Sequence, residues 1–273
     1  MAFVSTRARV IARCLCLLAL VATSSACGAS GPKKPPVGAE EPDKFLFENG
    51  TEALNNRRWY VAREYFRQLV DSYPQSNFRA DAKLGIGDTY LGEGTIEGQV
   101  MGINEYKEFL AHFPTHSRAH YAQFQLGTAH FKQMRGPARD QTDTREAITE
   151  FSTYVQRYPN GALIGEARQR LREAKDRLSE SEYNVGFFYL RSRMSIPGAI
   201  DRFAGILKND PEYTHRDAVY YQMAQALVVV GQPAAAIPYL DKLVTEFEQS
   251  EYLEKARIQL EELKAQMQAQ IKK

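Results

Sequence analysis

The sequence predicts an all-α solenoid of about five helical hairpins closed by a C-terminal capping helix. Three observations predict it. Aromatic–proline or acid–proline pairs end successive blocks at Tyr73-Pro74, Phe113-Pro114, Tyr158-Pro159 and Asp210-Pro211, and Phe247-Glu248 keeps the frame without the proline. Small residues recur within each block: Gly50, Gly87, Gly127, Gly186 and Ala224 on a first helix, then Ala62, Gly102, Ala147, Ala199 and Ala236 on a second. Four residues after each of the latter comes Phe66, Tyr106, Phe151, Phe203 or Leu240. No stretch alternates apolar and polar residues with period two for long enough to build a sheet.

This small-residue, Ala-x3-Phe and Pro grammar is that of a tetratricopeptide repeat. Small residues let two helices cross closely, the aromatic fills the gap, and proline stops the second helix because it has no N–H to continue it. Repeat one pairs helices near 43–56 and 59–72. Repeat two covers about 77–112, with its hairpin widened by Gly92-Glu93-Gly94, and repeat three runs from 116 to 158 with a break over 132–143. Residues 162–191 contain no proline and carry apolar residues at helical spacing, which predicts one long helix of about 45 Å, paired with a helix near 197–208. Gly165 and Gly186 are candidate kink points. Repeat five takes 214–230 and 233–246, and Leu253, Ala256, Leu260, Leu263 and Met267 mark the cap. The expected domains are 43–160 (repeats one to three), 161–251 (repeats four and five) and 252–273 (the final helix).

The amino terminus has a separate logic. Arg7, Arg9 and Arg13 precede a short apolar run, Cys14–Ala22, and small residues lead into Cys27. That is the layout of a secretory signal peptide over 1–26, too short to span a membrane. Its removal takes three of the 35 basic residues and no acid, so the body is close to neutral against its 33 acids. Nothing then suggests a nucleic-acid partner. Cys14 and Cys16 leave with the signal, so Cys27 stands alone and no disulfide framework is possible. Its setting resembles the lipobox of bacterial lipoproteins, with Ser24 in place of the usual aliphatic. The resemblance implies a lipid-modified Cys27, palmitate-type acylation included, followed by a Gly/Pro-rich tether over 27–42.

Catalytic chemistry is not apparent. His112, His116 and His120 share a spacing of four, but Pro114 interrupts any common helix and no carboxylate sits at a matching offset. Gly85-Ile86-Gly87 with Gly92 lies inside a helical pattern rather than after a strand, unlike a phosphate-binding loop. The many Glu/Arg pairs at helical spacing read as solvated faces. The expectation is a binding protein with no cofactor, no metal and no enzymatic activity.

Binding residues are expected on the first helices. Tyr121, Phe124, Phe131 and Lys132, with Asp88 and Leu91 nearby, suit an extended peptide. The alternative is that Phe124 and Phe131 are inter-repeat core. The connection 132–143 is longer than these repeats need, and Asp140 and Asp143 are candidate helix caps. From Arg139-Asp140-Gln141-Thr142 through Ala147-Ile148, Phe151, Arg170-Leu171, Asp176-Arg177-Leu178, Phe188-Tyr189 and Ala199-Ile200-Asp201-Arg202-Phe203, the chain closely resembles the BamD family. That family is the lipoprotein subunit of the bacterial outer-membrane β-barrel assembly machine. The resemblance implies a periplasmic-facing, lipid-anchored outer-membrane protein. N-terminal repeats would receive unfolded outer-membrane proteins. C-terminal repeats would dock the central β-barrel assembly subunit, with Arg139, Asp140 and Arg202 on matching segments, and other assembly-machine lipoproteins would join. The competing reading is another envelope repeat lipoprotein that coordinates cell-wall synthesis or pilus assembly.

Overall fold

The computed structural model describes residues 32–271, with side chains through 269. The expected signal peptide over 1–26 and Cys27 therefore lie outside the described residues. Within them the chain forms helices and no strand: α1 (Pro42–Asn55), α2 (Trp59–Ser72), α3 (Arg79–Glu93), α4 (Ile96–His112), α5 (Ala119–Gln133), α6 (Thr142–Arg157), α7 (Ile164–Ser192), α8 (Ile196–Asn209), α9 (Arg216–Val229), α10 (Pro233–Glu246) and α11 (Leu253–Ile271). They make two compact units that divide after Gly92.

In the first unit the repeat grammar acts through Phe66. Its ring is 1% exposed and lies between two glycines. A Cβ on Gly50 would come within 2.7 Å of one ring edge and a Cβ on Gly85 within 2.5 Å of the other. Leu46, Ala53, Ala62 and Leu69 close the core around it. The expected widening of the second hairpin does not occur at Gly92. Helix α3 continues through it, and the Trp59 indole packs against that position, where a Cβ would meet the ring at 2.6 Å.

In the second unit the same pairing joins Gly127 to Phe151 and Gly186 to Phe203, with prospective Cβ contacts of 2.9 and 2.8 Å. Consecutive helices from α4 to α11 pack on one another. Helix α7 runs 29 residues without interruption, and α11 lays Ala256, Leu260 and Leu263 against the last hairpin.

Each block ends in one recurrent turn. The N–H of Ser76, His116, Gly161, Tyr213 and Ser250 donates to the carbonyl three residues earlier, at 2.9–3.1 Å. In the first and last of these the serine hydroxyl also donates to an aspartate in the first turn of the preceding first helix: Ser76 to Asp43 and Ser250 to Asp217, both 2.6 Å. The turn at Phe247-Glu248 forms without proline because proline only pre-sets a backbone angle that glutamate can also adopt.

Candidate functional site

The second unit contains a cleft of about 500 Å³ between α6, α7 and α8. Its lining follows from helical spacing. Arg145 and Ile148 lie one turn apart on α6, Leu178 and Glu182 on α7, and Arg202, Ile206 and Asn209 succeed one another on α8. Ile148, Leu178 and Ile206 supply apolar surface. Gly205, whose Cβ position faces open space, keeps the wall low. Arg145, Lys175, Arg202, Glu182 and Asp201 supply the charges. The Arg202 side chain is 44% exposed, and its guanidinium is oriented by an ion pair with Glu182 across the cleft.

One side of the cleft is fixed by a buried ionic network. Asp210 ends α8 where other blocks place an aromatic, and it is 6% exposed. Arg172 donates to both its carboxylate oxygens at 2.8 and 2.5 Å, and the Ser179 hydroxyl donates at 2.7 Å. Burial acts to raise the Asp210 pKa, but the hydrogen bonds from Arg172 and Ser179 and the guanidinium charge outweigh it, so the carboxyl titrates below its ordinary value. Arg172 also pairs with Asp176 at 3.0 Å. Asp176 in turn accepts from the Thr214 N–H and hydroxyl at 3.0 and 2.8 Å. Tyr213 donates to Glu180 at 2.5 Å, and burial followed by this carboxylate raises its phenol pKa. Four residues of α7 thus grip the turn after α8.

The residues expected in a client groove are dispersed. Asp88 sits half-buried on α3 in the first unit and is not a free carboxylate. Tyr121 on α5 is half-buried beneath the Arg118 guanidinium, 4.8 Å from its ring centroid. Phe124 is a correction. It is 5% exposed, edge-on to Phe151 and Tyr154 at 5.7 and 5.9 Å, and covered by Arg170 at 4.9 Å. Phe124 is therefore core, with little surface left to meet a ligand. Phe131 remains half-exposed at the edge of the same cluster, 6.0 Å from Phe151 and 5.6 Å from Arg170, and Lys132 is exposed beside it.

Arg139 and Asp140 are both exposed in the connection before α6. Asp140 accepts from the Thr142 hydroxyl at 2.7 Å and from its N–H at 3.2 Å, which lowers the carboxyl pKa. Asp143 does not cap; it pairs with His130 at 3.1 Å. The residue that organises this connection is Gln141, 5% exposed. Its amide donates to the carbonyls of Gly136 and Arg139 at 2.9 and 3.0 Å, and its carbonyl accepts from Thr144 at 2.8 Å.

Reading the α7 Glu/Arg pairs as solvated faces also needs correction. Arg170 keeps its pair with Glu166, but it also donates to Thr128 at 2.6 Å and lies over two phenylalanines. Arg172 holds Asp210. The signal for Arg172 lay in the sequence as Asp210-Pro211, an acid at a position that is aromatic in four other blocks and that burial obliges to find a cation.

A family model described as YfiO, outer membrane lipoprotein, matches residues 39–236, spanning the whole cleft and ending within α10. The chain belongs to the YfiO family of outer-membrane lipoproteins. Among curated relatives, the outer membrane protein assembly factor BamD of Caulobacter vibrioides is 27% identical over 218 residues, covering 79% of this chain and 70% of that protein. BamD of Vibrio cholerae is 26% identical, covering 72% and 83%. A crystal structure of MamA, 16% identical, aligns over 77% of this chain and 94% of its own with a TM-score of 0.35. The YfiO match includes Gln141, Arg172 and Asp210 but neither Cys27 nor α11.

Proposed function

We propose that the protein is a non-enzymatic assembly factor for outer-membrane proteins, held at the periplasmic face of the outer membrane by a lipid on Cys27. Membership of the lipoprotein family and the name borne by the curated relatives support the assembly role. No helix among the described residues is long and apolar enough to cross a membrane, which is compatible with attachment through a lipid. A body of packed helical hairpins suits holding other proteins rather than transforming them.

The observation that carries the docking part of this reading is the cleft between α6, α7 and α8. Its apolar floor is wide enough for a large side chain, and Arg202 stands at its rim on an element braced by the Asp210 network. Such a pre-organised surface suits a folded partner, here the central β-barrel assembly subunit, while the exposed Arg139–Asp140 connection offers a second contact. The half-exposed Phe131 and Lys132 are proposed to meet unfolded barrel segments, and further assembly lipoproteins would occupy other faces. The test is surface plasmon resonance with the soluble periplasmic domains of the central subunit and, separately, a barrel-derived peptide. Arg202→Glu should weaken the first by at least tenfold, because reversal adds repulsion, and leave the second unchanged. Phe131→Lys should do the reverse. Equal losses for both ligands in folded variants would reject the division of labour.

A further inference from the structure

We propose that the turn joining α1 to α2, Asn55–Tyr60, rests on an anionic phospholipid surface and so fixes the orientation of the first unit beside its anchor. The turn has the composition of a membrane interface. Arg57 and Arg58 are exposed, Tyr60 is 66% exposed, and Trp59 is half-exposed with its inner side packed on Gly92. No acidic residue occurs between Glu52 and Glu64. Tryptophan and tyrosine partition to the headgroup level of bilayers, and arginine reaches from there to phosphate.

Backbone geometry adds an independent observation. Arg57 has φ of +56°, a left-handed conformation in which glycine is the comfortable residue. The N–H of Arg57 donates to Leu54 and that of Arg58 to Ala53, at 2.9 and 2.8 Å. The fifth repeat builds the same paired hydrogen bonds around Gly231, at φ of +74°. The first repeat thus holds a cation where the motif favours glycine. The Arg57 side chain has no ion-pair partner among the described residues, and Arg58 reaches Glu52 only at 4.0 Å.

The tether explains why the occupant is a lipid surface rather than an acidic protein. The Lys33 N–H donates to the Tyr65 hydroxyl at 2.6 Å, which ties the tether to α2. Lys33 lies only six positions after Cys27 in the sequence, a reach of about 20 Å at most. Tyr65 itself lies about 9 Å along α2 from Trp59. A lipid on Cys27 would therefore bring the bilayer within range of the turn, with Lys33 and Lys34 adding charge of the same sign.

Trp59 is the single tryptophan of the chain, so its fluorescence reports on this turn alone. The lipid-anchored mature protein in vesicles containing phosphatidylglycerol and bromine-labelled acyl chains should show quenched Trp59 emission. A full mature chain with Cys27→Ser, which carries no lipid, should bind phosphatidylglycerol vesicles in preference to phosphatidylcholine ones, and high salt should weaken it. Adding Arg57→Gly and Arg58→Ser should reduce that partitioning by roughly thirtyfold. Arg57→Gly relieves the left-handed residue, so helix content should persist. The anchored arm depends on the Cys27 assignment and the unanchored arm does not, which separates the two failures. Unquenched Trp59 in anchored protein, or equal binding of the unanchored chain to both vesicle types, would overturn the proposal.

Discussion

Replacing Asp210 by asparagine tests whether the ionic network braces the cleft. The substitution keeps the shape but removes the charge that receives two bonds from Arg172 and one from Ser179. Removing one partner of a fully buried ion pair costs about 3–5 kcal/mol. Two features reduce that here. The Arg172 side chain is 27% exposed and keeps Asp176 at 3.0 Å, and asparagine can still accept one hydrogen bond. The expected cost is therefore about 2 kcal/mol, or roughly 4–8 °C in the melting temperature of a chain this size. Circular dichroism melts and urea unfolding would give the global change, and hydrogen exchange should place it in the last turns of α8 and the facing part of α7. A double variant, Arg172→Met with Asp210→Phe, should cost clearly less than the sum of its single substitutions, since it removes both charges and restores the aromatic of the other blocks. A loss under about 0.5 kcal/mol for Asp210→Asn, or strict additivity in the double variant, would refute the network's role.

The same carboxyl predicts a pH dependence. Because its folded pKa lies below the unfolded value of 3.8, its contribution is present above that value and lost as pH falls through the lower folded one; acid titration of stability should be shallower in Asp210→Asn. Two glycines of α7 should respond oppositely to alanine. Gly186→Ala places a Cβ 2.8 Å from Phe203 and 3.2 Å from the Arg202 Cβ, and overpacking of about 1–3 kcal/mol should outweigh a helix-propensity gain of at most ~1 kcal/mol. Gly165→Ala meets no atom within 4 Å and should stabilise by up to ~1 kcal/mol, with thermal melts deciding both signs. Gln141→Ala should cost about 1–3 kcal/mol by leaving the buried Thr144 hydroxyl without its acceptor, and limited proteolysis should then cut the connection before α6.

Much of the architecture was legible because the repeat is a local pattern. Glycine or alanine at a helix crossing, an aromatic four residues after a small one, and a recurrent turn at each block's end are set by residues close in sequence. Helical spacing likewise foretold α7, as the absence of proline over 162–191 left nothing to stop it, and it closes only at Arg193 with φ of +54°. Where that reading failed, the deciding contact was distant. Gly92 looked like a hairpin breaker until Trp59, 33 positions earlier, packed against it. Phe124 satisfied the pattern of a groove residue and of a core residue equally. Phe151 and Tyr154 from the next helix, with Arg170 from the one after, settled it as core.

The sequence by itself determined the hairpin frame and the all-helical class, because each depends on residue type and local spacing. Tertiary structure decided which charges are surface and which are mortar. Arg172 and Arg202 look alike in sequence, each one helical turn or more from an acid. One clasps a buried aspartate 38 residues away, while the other stands exposed at the rim of a cleft. That difference is one of desolvation, and desolvation is fixed by what packs around a side chain rather than by its neighbours along the chain.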